Sequence, residues 1–162
     1  MKFPNNRTFR PTSDQALPNG TTVDVSNGRG VTITDRNGNE ALFYGQKDGV
    51  PSKFLVVTVR GTIELRLIGG NFKACSKRAV ASVSQARGKP VRRLWGKGKG
   101  KFRTKGRYAS ATVRGTWWLT ADFCKYTLVR VNEGSVTVQN LVSKKFQVIR
   151  APKSFTARPT RP

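Results

Sequence analysis

The stretch Thr112-Val113-Arg114-Gly115-Thr116-Trp117-Trp118, followed by Tyr126-Thr127-Leu128-Val129-Arg130-Val131-Asn132-Glu133-Gly134-Ser135-Val136-Thr137-Val138, decides the fold class. Apolar and polar residues alternate through both parts, many are β-branched, and the interruptions fall on glycine. Val129 and Val131, then Val136 and Val138, give apolar faces at the period of a strand. Outward from here the pattern predicts strands over 108–113, 116–123, 126–132, 134–141 and 144–150, with Asn132-Glu133-Gly134 as a hairpin turn. Trp117 and Trp118 are adjacent on one strand and point to opposite faces. One ring therefore belongs to the core, and the other covers a second face or a partner.

Toward the N-terminus the same pattern gives a small meander over 21–25, 31–35 and 40–44, turning at Ser26-Asn27-Gly28-Arg29-Gly30 and Arg36-Asn37-Gly38-Asn39. Two further strands, 54–60 and 62–67, hinge at Gly61. No segment holds an apolar i, i+3, i+4 pattern for three turns. The expected fold is all-β, an antiparallel sandwich or roll of stacked hairpins. It occupies residues 17–157, between a disordered or linker head (1–16) and a disordered tail (158–162). Between 69 and 107 the pattern weakens. Residues 79–86 read as a strand or a short helix, and 88–105 as a polar loop. Thr58-Val59-Arg60-Gly61-Thr62 recurs as Thr112-Val113-Arg114-Gly115-Thr116. This is either chance or a pair of equivalent strand-bend-strand corners.

The 162 residues carry 31 Lys+Arg against 8 Asp+Glu, a formal charge of +23, and no histidine. The missing histidine excludes His-based nucleophilic catalysis and His-ligated metal. Two cysteines alone cannot complete a structural zinc site. No apolar run reaches spanning length, and the first residues show no signal-peptide core. After Glu64 the acids are Asp122 and Glu133, so a converging carboxylate pair is not expected there. No enzymatic activity, cofactor or metal is predicted. Cys75 and Cys124 lie near strand ends among polar neighbours. They are read as a disulfide, which suggests an oxidising compartment.

The basic run is the candidate contact surface: Arg92, Arg93, Lys97, Lys99, Lys101, Arg103, Lys105 and Arg107. Such a run repels itself and reads as an extended, solvated loop. Gly96-Lys97-Gly98-Lys99-Gly100-Lys101 alternates flexible glycine with point charges, which suits a polyanion better than base reading. It is not a phosphate-binding P-loop, whose spacing differs. Trp95 and Phe102 bracket the run and could stack on bases.

Residues 107–155, above all Val113-Arg114-Gly115-Thr116 followed by Glu133-Gly134-Ser135-Val136-Thr137-Val138, resemble the FecR-type domain. A looser match runs back to Gly20. The resemblance implies an extracytoplasmic, secreted or membrane-tethered β module with no catalysis. It works by interaction or signal sensing. It also implies that Arg114, Gly115 and Thr116 form a structural bend, with the guanidinium bonding nearby carbonyls. The expected partner is an anionic cell-envelope polymer or an acidic protein surface. The alternatives are a nucleic-acid-binding protein using the same basic run, and a structural subunit assembling through strand edges. The oligomeric state is left open.

Overall fold

The computed structural model describes residues 1–5, 16–78 and 88–160. Its described residues form eleven strands and one six-residue helix. The strands are β1 (Thr21–Asp24), β2 (Val31–Thr34), β3 (Glu40–Tyr44), β4 (Lys53–Val59), β5 (Thr62–Ile68), β6 (Arg92–Gly98), β7 (Phe102–Lys105), β8 (Ala109–Asp122), β9 (Thr127–Asn140), β10 (Phe146–Arg150) and β11 (Ser154–Ala157). The helix, α1, is Lys73–Arg78. The all-β expectation holds.

Two long strands, β8 and β9, organise everything else. They pair along their whole length, with register shifts between Val113 and Thr116 and between Trp117 and Trp118. These bulges fold the sheet into two wings. Before the bend, β8 pairs with β7, and the order continues through β5 and β4 to β1. After it, β8 pairs with β6, and the order continues through β3 to β2. On the far side of β9, β10 extends the first wing and β11 the second.

The wings enclose one core. Phe43 on β3 approaches Phe54 on β4 at 6.1 Å between ring centroids, Phe102 on β7 at 5.4 Å and Trp118 on β8 at 5.9 Å. All four rings are fully buried. The Trp118 indole N–H donates to Thr104 Oγ1 at 2.9 Å, and Thr104 and Thr120 share a hydroxyl bond of 2.7 Å. The polar atoms of Trp118, Thr104 and Thr120 are thereby satisfied inside the core. A disulfide joins Cys75 on α1 to Cys124 in the β8–β9 turn.

Several expectations are corrected. The sheet is not wholly antiparallel, because β5 and β7 run parallel. Residues 126–132 and 134–141 are one strand, and Asn132-Glu133-Gly134 is a bulge within it. Only the pattern of pairing partners separates such a bulge from a turn. The two Thr-Val-Arg-Gly-Thr copies are not equivalent. Arg60 and Gly61, at φ 49° and 78°, close the tight β4–β5 hairpin, whereas Gly115, at φ 79°, bends a continuous strand. The 88–105 region is not a loop, since it supplies β6 and β7. The first residues of the head are tied to the sheet: Lys2 exchanges two backbone bonds of 2.7 Å with Thr22. The stretch 79–86 and most of the head, 6–15, lie outside the described residues.

Candidate functional site

The Gly-Lys alternation has a packing cause. A Cβ at Gly96 would lie 2.5 Å from the Trp118 ring, and at Gly98 2.4 Å from the Glu40 carbonyl oxygen. At Gly100 it would meet the Asp35 carboxylate at 2.7 Å and the Phe102 ring at 2.8 Å. Glycine occupies the crowded positions because nothing larger fits, and the intervening Lys97, Lys99 and Lys101 are exposed. The run is a strand and a tight turn with its charges directed outward.

The eight predicted contact residues separate into two groups. The first holds the fold. Arg92 Nε donates to Asp122 Oδ2 at 2.7 Å, and that carboxylate is fully buried. Its Oδ1 accepts the Arg107 backbone N–H at 2.8 Å and the Thr127 hydroxyl at 2.6 Å. Arg93 pairs with Asp48. Arg103 donates to Glu64 Oε2 and to Thr112 Oγ1, both at 3.1 Å. Lys105 is half-buried beside the same glutamate. Phe102, expected to stack on bases, is in the core. The second group is exposed. Lys97 lies 4.9 Å over the Trp117 ring, Arg107 covers Phe72 and Tyr108, and Lys99 and Lys101 form no side-chain ion pair with the described residues.

Burial pushes the Glu64 carboxyl up, but its bonds from Arg66 and Arg103 outweigh this, so its pKa lies below the ordinary value. A depressed folded-state pKa contributes stability that is complete above the unfolded value and lost as pH falls through the folded one. The urea midpoint should therefore drop on going from about pH 5 to about pH 3. Glu64→Gln should be less stable at neutral pH and show a shallower acid limb. Parallel acid limbs in the two proteins would show that this cluster contributes nothing to the pH dependence.

Sequence order concealed the main concentration of charge. Lys101 donates its backbone N–H to Asp35 Oδ2 in the β2–β3 connection at 2.9 Å and accepts from Ile63, beside the β4–β5 turn, at 2.9 Å. Lys99 donates to the Glu40 carbonyl at 3.3 Å, and its Cβ is 3.8 Å from where a Gly115 Cβ would stand. Gly134 packs on the Gly115 carbonyl and accepts the Ala151 N–H at 2.9 Å. These contacts bring four connections and the bulges of β8 and β9 to one end of the molecule. Arg36, Arg60, Lys99, Lys101, Arg114, Arg150 and Lys153 are all exposed there. The exposed acids nearby are Glu40 and Glu133. Asp35 is occupied: the backbone N–H of Lys101, together with those of Asn37 and Asn39, holds its pKa below the ordinary value.

Arg114 makes no hydrogen bond through its guanidinium to the described residues. The expected bond to nearby carbonyls is absent. Gly115 makes the bend, and the Thr116 hydroxyl donates to the Glu133 carbonyl. Arg36, Arg60, Arg150 and Lys153 were missed as contact residues. A signal for two of them was present: Arg60 directly precedes a glycine, as Lys99 and Arg114 do, and Arg36 stands two before one. Alternate turns of an up-and-down chain share an end, so cations at such turns collect in space.

Among the described residues no helix is long and apolar enough to cross a membrane, and no group of three potential metal ligands occurs. No protein-family model and no curated protein matches the chain. Two solved structures described as a "putative anti-sigma factor" from Parabacteroides distasonis ATCC 8503 overlap it, with TM-scores of 0.46 and 0.45 and 12% identity. In both cases the overlap covers 86% of this chain, which spans 60% of the length of the other.

Proposed function

We propose that this is a FecR-type β module of an extracytoplasmic setting, acting by binding rather than catalysis, and that its cationic end holds an anionic polymer of the cell envelope. The observation that carries the reading is the convergence of Arg36, Arg60, Lys99, Lys101, Arg114, Arg150 and Lys153 at one end. Close cations raise one another's potential, and a polyanion that neutralises several of them releases its own counterions. The Val-Arg-Gly-Thr bend with the Glu-Gly-x-Val-x-Val segment supports the family. The Cys75–Cys124 bridge supports the compartment.

The test is fluorescence anisotropy with a labelled teichoic acid, titrated from low to moderate salt, with random duplex DNA as comparison. Arg60→Gln, Lys99→Gln, Lys101→Gln and Arg114→Gln are combined in one variant. Lys144→Gln with Lys145→Gln, in the β9–β10 turn, is the control. For DNA the salt slope should fall by about 1 for each contact removed. Teichoic acid binding should weaken in the quadruple variant and persist in the control. Equal binding by all three proteins overturns the reading, and preference for DNA moves it to nucleic acid.

Assembly through strand edges is a second reading. It is supported by β10, which among the described strands pairs only with β9 and exposes Phe146 (69%) and Val148 (42%). Light scattering that finds a monomer at every concentration ends it.

A further inference from the structure

We infer that the outer face of the second wing binds sugar rings of an acidic polysaccharide on Tyr44, Trp95 and Trp117. This rests on the proposed polyanion reading and names the class of polymer. The three residues come from three neighbouring strands. Register sets Tyr44 opposite Trp95, and Trp117 opposite Lys97, two positions along β6. The Tyr44 and Trp95 rings are nearly parallel, 9° apart with centroids separated by 6.2 Å, and Trp117 stands 6.0 Å from Trp95. The Trp117 indole N–H donates to the Tyr44 hydroxyl oxygen at 2.8 Å, which fixes the outer pair and leaves the tyrosine O–H proton to donate.

These rings lie on the face opposite the core. Trp118, the next residue, is fully buried, whereas Tyr44, Trp95 and Trp117 are half-buried. Leu42 on the same face of β3 is 39% exposed. The core uses none of the three rings. Charge complementarity selects an anionic occupant. Lys97 sits over Trp117, β6 leads from it to Lys99, and β8 leads from Trp117 back to Arg114. A polymer held at the cationic end therefore meets aromatic faces when it continues along these strands. The C–H edges of a pyranose carry partial positive charge and pack on the negative face of an aromatic ring, while its carboxylates meet the lysines. Nucleobases also stack on such rings. The disulfide favours the sugar, because oxidising compartments are where bridges persist.

The experiment titrates the full chain with four probes: polygalacturonate, inorganic polyphosphate, oligo(dT) and a neutral β-glucan. Trp117→Ala should weaken polygalacturonate binding about tenfold and leave polyphosphate, which has charge but no rings, unchanged. In the wild-type protein, saturating polygalacturonate should protect part of the tryptophan emission from acrylamide, a measurement that needs no variant to fold. An equal loss for both polyanions, unchanged quenching, or tighter binding of oligo(dT) overturns the inference. Should neither polyanion bind, ring-dependent binding of the neutral glucan would retain the aromatic site while the polyanion reading fell. No binding of any probe would remove both.

Discussion

Replacing Cys75 and Cys124 together by serine should lower the melting temperature by about 8 to 16 °C. The bridge spans 49 positions, for which the loop-closure model gives roughly 4 kcal/mol. It also fastens α1 to the β8–β9 turn. Just before α1, the Phe72 ring is in contact with the guanidinium groups of Arg92 and Arg107, at 4.9 and 4.7 Å from its centroid. Arg92 in turn holds the buried Asp122. Releasing the helix should loosen this stack and expose the carboxylate to water. Thermal melts of the wild type with and without reductant, beside the double serine variant, check the result. The reduced protein and the variant should melt together. A shift below about 3 °C would mean that the unfolded chain is already compact across this loop.

Gly134→Ala is expected to be nearly as damaging. Gly134 has φ 72°, and a Cβ there would stand 2.2 Å from the Gly115 carbonyl oxygen and 3.2 Å from the Thr116 backbone. No flexible side chain can yield, since both obstacles are main chain of the facing strand at its own bulge. Strain and overlap together should cost about 2–4 kcal/mol. Gly38→Ala is the control. It shares the left-handed geometry, at φ 80°, but a Cβ there meets nothing within 4 Å. Its cost should be about 1–2 kcal/mol, the conformational penalty alone. Urea unfolding of both variants separates backbone preference from steric exclusion. Equal losses would show that the β8 and β9 bulges are not tightly opposed.

The sequence made the fold class legible because alternation survives wherever one face of a strand is buried. Val129, Val131, Val136 and Val138 are all fully buried, as their spacing implies. Trp118 in the core and Trp117 on the outer face follow from the same parity. The 88–105 region was illegible for a physical reason. In β6 the inward positions include Gly96, shaped by the Trp118 ring, so the strand lacks the apolar side chain that periodicity seeks. β11 was hidden by its shortness and by flanking prolines. The candidate site was half legible. Lys99 and Lys101 were named from the charge run. The arginines beside them needed knowledge of which carboxylates lie opposite, and Asp48 and Glu64 are distant in sequence from Arg93 and Arg103.

The placement of β8 between β6 and β7 also sets a timetable for synthesis. β2–β3 and β4–β5 are short-range hairpins that can form as soon as they are made. Within the sheet they are joined through β6, β7 and β8, so the strand-to-strand path between them is complete only once β8 has been made. At ribosomal speeds of about 5–20 residues per second, Phe43 and Phe54 wait several seconds before Phe102 and Trp118 cover them. During that interval the nascent chain presents apolar faces and unpaired strand edges, the features that expose a folding intermediate to aggregation.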